Sequence, residues 1–214
     1  MKEQSSAVCV TGSALSARLV RRSSQSVDGG QSQKLVGVIG SRSLPLQYAE
    51  HVGAVVEDLI KRKNQIASGG AVGTDEYCLA YLVHIGEADK GTVYSPWSTY
   101  EGFPVKVRVL SRQFKEYGGS IVWGNLRGQE EYAVVRAGLL ARNMRLIDAV
   151  TGIVAFLHGD SHGTLFTLRK ALSAHLPVVI FCIDRRLPEF ANIKWKPLIC
   201  GGCWEGAFKA VYLK

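Results

Sequence analysis

The sequence predicts an α/β fold: a Rossmann-like, mostly parallel sheet with helices on both faces. Short apolar runs alternate with amphipathic stretches from Leu35 to about residue 183, and three of these runs end in a glycine-rich turn. Strands separated by helices imply right-handed crossovers and parallel pairing. With 214 residues and 47% hydrophobic content, the chain can bury the core of one domain.

The predicted elements follow one another without long gaps. A strand at 35–39 leads into a helix from about Pro45 to Lys63, whose apolar residues form one stripe. Proline suits the first turn of a helix because its missing N–H has no partner there. The further predicted elements are a strand at 65–68, a helix at 74–85, a strand at 92–95, a helix at 129–150, a strand at 152–157, a helix at 164–175 and a strand at 177–183.

Two stretches are harder to assign. Residues 96–128 contain an alternating segment, Val105 to Leu110, that predicts a strand, and their glycine-broken remainder predicts a loop or an insertion. Near the C-terminus, Cys200-Gly-Gly-Cys203 has the spacing of half a zinc site. A tetrahedral site needs two more ligands, and no nearby Cys or His pair supplies them. We therefore expect no metal, and a hairpin that turns at Gly201-Gly202.

The first 34 residues form a predicted N-terminal extension, and residues 35–214 form the Rossmann-like domain. Ser, Gln and Gly dominate residues 23–33, as in a linker. Arg18, Arg21 and Arg22 give a weak resemblance to an organellar transit peptide, but Glu3 and the brevity of any amphipathic stretch argue against it. An extension of a bacterial cytosolic protein is the favoured interpretation.

Composition indicates a soluble, cytoplasmic protein with no membrane partner. The longest apolar runs are far shorter than a membrane-spanning helix requires. The five cysteines are odd in number and lie mostly in apolar segments, which is typical of reduced thiols. The net charge of +8 is concentrated in the first 34 residues and after residue 128, without a continuous basic stripe. Nucleic acid is therefore an alternative partner and not the favoured one.

The three glycine-rich turns predict one phosphate-binding crevice. Glycines let backbone N–H groups approach an anion, and a helix N-terminus adds partial positive charge. The carboxyl ends of parallel strands meet at one edge, where ligands bind in such sheets. No turn matches the dinucleotide or Walker fingerprint. The predicted nucleotide- or phosphate-binding residues are Gly40, Ser41, Arg42, Gly69, Gly70, Ala71, Gly73, Thr74, Asp75, Arg142, Asn143, His158, Gly159, Asp160, Ser161, His162, Gly163 and Thr164.

These residues resemble the motifs of a known superfamily. Gly40-Ser41-Arg42, Gly69-Gly70-Ala71-x-Gly73-x-Asp75, Arg142-Asn143 and Gly163-Thr164 occur in the order and approximate spacing of the SLOG superfamily. It unites DNA-processing protein A, the lonely-guy phosphoribohydrolases and several nucleotide-sensing families. The resemblance covers about residues 35–183 and implies a nucleotide-type ligand.

The resemblance also implies roles for single residues. Ser41 and Arg42 would hold phosphate or a ribose edge, with an ion pair to a surface carboxylate as the alternative for Arg42. Arg142 would be directed at the ligand, unless it is a structural ion-pair residue. Asp75 would be repelled by phosphate, so it either caps its helix or accepts hydrogen bonds from ribose. His158 and His162 are candidates for proton transfer, although phosphate donation is the commoner role for loop histidines.

Three functions remain open from the sequence. The favoured one is a module that binds a nucleotide or nucleotide-derived ligand, with no cofactor firmly implied. A nucleoside monophosphate phosphoribohydrolase is the second, but the acidic residue that lonely-guy enzymes carry after the Gly-Thr pair is absent from Leu165-Phe166-Thr167. The third is single-stranded DNA binding like DNA-processing protein A, although the chain lacks room for that family's winged-helix module. Candidate stacking residues for it are Trp97, Tyr100, Phe103, Trp195 and Trp204.

The long helix at 129–150 predicts self-association. Its apolar residues, among them Tyr132, Val135 and Leu139, offer more surface than one sheet face covers. We therefore expect a homodimer or higher oligomer through this helix or through the segment after Ile183. The alternative is that residues 96–128 cover the surface within one chain.

Overall fold

The computed structural model describes residues 33–184 and 186–213. Predicted and observed boundaries differ by a few residues at most for the elements that were assigned correctly. The described elements are β1 (Lys34–Gly40), α1 (Ala49–Lys61), β2 (Asn64–Ser68), α2 (Thr74–His84), β3 (Gly91–Tyr94), α3 (Val105–Glu116), β4 (Ser120–Val122), α4 (Tyr132–Ala149), β5 (Gly152–Leu157), α5 (His162–Ser173), β6 (Val178–Cys182), β7 (Ile193–Pro197) and β8 (Ala207–Tyr212).

The eight strands form one sheet in the order β4-β3-β2-β1-β5-β6-β8-β7. Strands β1 to β6 pair in parallel with one another, whereas β8 pairs antiparallel with both β6 and β7. The predicted fold class is therefore confirmed. The chain builds outward from β1 to β4 and then returns to the other side of β1, so the strand order reverses between β1 and β5. This reversal places the switch point of the sheet at the carboxyl ends of these two strands.

Helices cover both faces of the sheet and create two cores. Helices α1, α2 and α3 pack on one face, where Val52, Leu79 and Phe114 meet sheet residues such as Val38 and Phe156. Helices α4 and α5 pack on the other face, where Leu146 and Leu168 meet Ile39 and Ile180. In the part of the chain described, no helix has the length and apolar character needed to cross a membrane.

The strand predicted at 105–110 is wrong, because Val105–Glu116 is helix α3. Val107, Ser111 and Phe114 are its buried residues, at a spacing of four and three that fits one helical face. Val105 and Val109 are 72% and 56% exposed. The alternation of valines with lysine and arginine therefore does not reflect a buried strand face. The three-residue strand β4 lies in the stretch that was predicted as loop, and it is too short to give a periodic signal.

The C-terminal segment is a hairpin whose connection contains Gly201-Gly202, as predicted, but the connection is longer than a two-residue turn. Ile193 pairs with Tyr212 and Pro197 with Phe208, so residues 198–206 form the connection, which contains a 3-10 turn at Gly202–Trp204. Trp204 Nε1 donates a 2.7 Å hydrogen bond to Asp58 of α1 and fixes this connection against the first helical layer. Among the described residues, Cys78 and Cys203 are free thiols.

Two predictions about the chain's periphery stay predictions. Residues 1–32, which include Cys9 and most of the predicted extension, lie outside the described residues. In α4, Tyr132 and Val134 are 81% and 48% exposed, while Leu126 from the preceding loop packs against Gly138. Residues 96–128 thus cover part of this helix, and the homodimer remains to be tested by light scattering.

Two substitutions in α3 test whether residues 105–110 are helical rather than a strand. Val107→Ala should lower the free energy of unfolding by about 2 kcal/mol, because it leaves a cavity in a fully buried site. Val109→Ala should change it by less than about 0.5 kcal/mol, because that side chain is mostly exposed. Urea unfolding measures both values. Similar losses at the two positions would instead support a strand, in which both valines share one face.

Candidate functional site

The loops that follow β1, β2 and β5 meet at the carboxyl edge of the sheet. The Ser41 N–H donates to the Phe156 carbonyl at 2.9 Å, and the His158 N–H donates to Ser41 Oγ at 2.8 Å. The Thr74 N–H, at the start of α2, donates to the Ser41 carbonyl at 3.4 Å. The three glycine-rich turns therefore lie together at the switch point, and the crevice between them stays a prediction. Ligand binding in this crevice stays a prediction.

Within the first turn, neighbouring residues differ in solvent exposure. Ser41 is fully buried, and its hydroxyl is engaged by His158, so its structural role is to join the β1 and β5 loops. Arg42 and Ser43 are exposed. Arg42 is thus the cation of this turn that a ligand can reach. The Ser43 hydroxyl lies 3.2 Å from His158 Nδ1, which adds a second link between the same two loops.

The second turn contains a buried ion pair. Arg142 Nη1, from α4, lies 3.5 Å from Asp75 Oδ2 of α2, and both side chains are 7% exposed. Asp75 Oδ2 also accepts a 3.1 Å hydrogen bond from the Ala71 N–H. A Cβ on Gly69 would lie 1.2 Å from Arg142 Nη1. Glycine is therefore required at position 69, because the guanidinium lies directly against the loop backbone.

Burial acts on both members of this pair. It raises the pKa of the Asp75 carboxyl above its ordinary value, and the charge of Arg142 and the Ala71 N–H offset part of that effect. Burial likewise lowers the pKa of Arg142, and Asp75 opposes the shift. Arg142 still carries its charge at neutral pH, because the guanidinium pKa begins so far above 7. Its Nε has no partner among the described residues.

These contacts change the interpretation of Asp75 and Arg142. Asp75 follows the N-cap residue of α2, Gly73, and its carboxylate is used by Arg142 and Ala71. The geometry thus corresponds to the structural alternative for Arg142. Direct binding of phosphate by Arg142, or of ribose by Asp75, stays a prediction. Asn143, next in the chain, is half-buried.

Gly73 makes the approach of this turn to the first one geometrically feasible. Its φ of 78° lies in the region that favours glycine, and a Cβ there would be 2.5 Å from the Ser41 carbonyl oxygen. The Gly73 N–H donates to Glu76 Oε2 at 3.3 Å. Two carboxylates of the first helical turn, Asp75 and Glu76, therefore already accept backbone N–H groups at the N-terminus of α2.

The third turn leads into the N-terminus of α5. The helix begins at His162, and its first turn contains no acidic residue. His162 and Gly163 are exposed, and Thr164 is buried with its hydroxyl 2.8 Å from Ser161 Oγ. Asp160 is exposed at the tip of the turn. The α5 N-terminus is therefore more accessible to an external anion than that of α2.

Asp184 is a residue of this site that sequence reasoning missed. The Gly159 N–H donates to its Oδ1 at 2.9 Å and to its Oδ2 at 3.2 Å, and His158 Nε2 lies 3.4 Å from Oδ2. The signal was present in the sequence, because Asp184 directly follows the predicted strand at 177–183 and so lies at the same sheet edge. Its side chain is 42% exposed.

Aromatic side chains lie along the same edge, in the loops after β3 and β4. The rings of Tyr100 and Trp123 pack edge to face with centroids 4.9 Å apart, and the Arg112 guanidinium lies 5.4 Å from the Tyr100 centroid. Both rings are half-buried. Phe103 and Trp204 are only 2% and 8% exposed and belong to the core, so they are not stacking platforms.

Comparisons with known proteins agree with this architecture. The model of the family described as DNA recombination-mediator protein A matches residues 28–192. A search of curated proteins found no match.

Two solved structures are similar in fold. DNA processing protein A from Streptococcus pneumoniae has a TM-score of 0.57 and 21% sequence identity, over 71% of this chain and 51% of that chain. The Helicobacter pylori protein, described for its single-stranded DNA binding mode, has a TM-score of 0.54 and 19% identity, over 74% of this chain and 67% of that chain. This chain thus spans about half the length of the Streptococcus pneumoniae protein.

The buried pair predicts a stability effect at Arg142. Arg142→Ala should destabilise the ligand-free protein by about 3–5 kcal/mol, because it leaves the Asp75 carboxyl buried without its partner. Asp75→Asn combined with Arg142→Met should recover much of the loss, since no charge then remains to be compensated. Chemical unfolding of both variants measures the difference. An unchanged free energy of unfolding for Arg142→Ala would contradict the structural role and favour one in ligand binding.

Proposed function

Because this chain belongs to the DNA recombination-mediator protein A family, we propose that it binds single-stranded DNA through phosphate contacts at the crevice between β1, β2 and β5. The family match confirms the resemblance to the DNA-processing protein A branch of the SLOG superfamily. The observation that carries the proposal is that exposed Arg42 follows β1 and the N-terminus of α5 follows the adjacent strand β5, so both belong to turns at the switch point of the sheet.

Phosphate binding is supported at α5 and not at α2. The first N–H groups of a helix have no intrahelical acceptor, and the helix dipole adds partial positive charge. At α2, Asp75 and Glu76 already accept N–H groups of this region. At α5, no acidic residue occupies the first turn, and the exposed glycine at 163 lets a phosphate approach the backbone closely. Arg42 offers a charged donor to the same phosphate.

An extended ligand is supported by the position of the aromatic pair. Tyr100 and Trp123 lie after β3 and β4, whereas α5 follows β5, and β2 and β1 lie between β3 and β5. With about 4.8 Å between neighbouring strands, the separation is about 14 Å. A mononucleotide does not cover this distance, but a short oligonucleotide does. Half-buried aromatic rings stack on any base and so bind single strands without a sequence requirement.

A nucleotide or nucleotide-derived ligand is the second candidate. Its support is the switch point itself, because open α/β sheets bind nucleotides at this position. N-glycosidic hydrolysis is not part of the proposal. Of the acid–base candidates, Asp75 is paired with Arg142, and His158 is engaged by Asp184 and Ser43.

Arg42 provides the direct test. Arg42→Ala should weaken binding of a fluorescent oligothymidylate by about tenfold at low salt, as expected when one charge-assisted phosphate contact is lost. The slope of log K against log salt should fall by about 0.7, the contribution of one phosphate contact on a single strand. Fluorescence anisotropy at several salt concentrations measures both quantities.

Arg169→Ala is the matched control, because Arg169 is exposed on the C-terminal half of α5, away from the crevice. Its affinity and salt slope should equal those of the unaltered protein. Equal losses for the two variants would show that general positive charge, and not the crevice, attracts DNA. Displacement of the oligonucleotide by thymidine monophosphate at comparable concentration would favour the second candidate.

A further inference from the structure

We propose that Asp184 makes the crevice select phosphodiesters, the internal phosphates of a polynucleotide, over the terminal phosphates of free nucleotides. The proposal rests on phosphate binding at the α5 turn, the function proposed above. It assigns a specificity role to a side chain that lies outside the glycine-rich motifs.

The carboxylate of Asp184 occupies an anion position in the third turn. Both of its oxygens lie within hydrogen-bond distance of the Gly159 nitrogen, at 2.9 and 3.2 Å. Gly159 is one of the glycines whose backbone the sequence predicts to line a phosphate. The carboxylate is therefore a fixed negative charge beside the N-terminus of α5, where an external phosphate would bind.

The position of this charge is fixed by contacts to two other loops. His158 Nε2 lies 3.4 Å from Asp184 Oδ2, and the other ring nitrogen lies 3.2 Å from Ser43 Oγ. The His158 N–H is bonded to the buried Ser41 hydroxyl. A phosphate that contacts Arg42 and the α5 N-terminus thus meets the carboxylate of Asp184 at the same rim. At 42% exposure, the carboxylate is partly shielded by water, which reduces its field without removing it.

The charge of the ligand determines how strongly Asp184 opposes it. A phosphomonoester has a second pKa near 6 and carries nearly two negative charges at pH 8, whereas a phosphodiester carries one. Coulomb energy is proportional to the product of the charges, so the same carboxylate repels the monoester about twice as strongly. The stronger repulsion by Asp184 therefore acts on mononucleotides and on the terminal phosphates of a strand. Internal phosphates are affected least.

If Asp184 served only to hold the loop in place, it would make the same hydrogen bonds. The Asp184→Asn variant separates this structural role from the proposed electrostatic one. The amide oxygen still accepts the Gly159 N–H, but the negative charge is gone. The probes are thymidine 5′-monophosphate and its methyl ester, which differ by one methyl group and one charge. Calorimetric titration at pH 8 and low salt measures the affinity of both for each protein.

The expected result is an unequal gain. Asp184→Asn should strengthen binding of the methyl ester about threefold and of the monophosphate about tenfold, because doubling the repulsive energy squares the affinity factor. The preference for the diester should thus fall about threefold, and the difference should shrink as salt is added. Asp148→Asn is the control: it makes the same charge change at an exposed position near the end of α4, at the opposite sheet edge, and should alter neither affinity.

Equal gains for the two probes, or no gain for either, would overturn the selectivity role while leaving phosphate binding intact. Loss of both affinities in Asp184→Asn, with an unchanged melting temperature, would also overturn it and make Asp184 a residue that positions the loop. If neither probe nor an oligothymidylate binds to the unaltered protein or to the variant, the proposed function itself fails. These outcomes therefore distinguish failure of the selectivity role of Asp184 from failure of the proposed DNA binding.

Discussion

The Asp75–Arg142 ion pair connects the two helical layers of this protein at the carboxyl edge of the sheet. Asp75 comes from the layer that covers one face and Arg142 from the layer that covers the other, and they meet beside Gly69. Each charge is buried, so each depends on the other to offset the cost of desolvation. The second glycine-rich turn, the start of α2 and the middle of α4 are thereby held in one arrangement at the carboxyl edge of the sheet.

The two helix N-termini at this edge have been adapted differently. The α2 N-terminus is neutralised by carboxylates of its own first turn, which fixes the loop but leaves little attraction for an external anion. The α5 N-terminus has no acid in its first turn, and the Gly159 N–H of the preceding turn donates to a carboxylate from another loop, Asp184. An internal carboxylate within a helix turn is a permanent cap. In the proposed role, the carboxylate from the separate loop would also act on a bound phosphate, because its charge lies beside the N-terminus of α5.

The net charge of this chain did not favour the nucleic-acid partner that the proposed function now assigns to it. The absence of a basic stripe argued against DNA, yet the family and the crevice support a single-stranded ligand. Phosphate contacts do not need many cations, because backbone N–H groups and a helix N-terminus carry part of the interaction. These donors are invisible in a count of lysines and arginines. Tyr100 and Trp123 do not contribute to net charge either, although they lie on the edge where bases would stack.

The sequence by itself determined most of the strands and helices and the convergence of the three turns, but not α3 or β4. Those features follow from local patterns, namely apolar runs of strand length, glycines after them and amphipathic helices between. It failed at Val105–Leu110, where a chance alternation of valines outweighed the helical spacing of Val107, Ser111 and Phe114. Only the tertiary structure decided that Arg142 turns inward to Asp75 and that Asp184 reaches Gly159. Both contacts join residues far apart in the chain, and their geometry depends on how the helices pack, which no local pattern records.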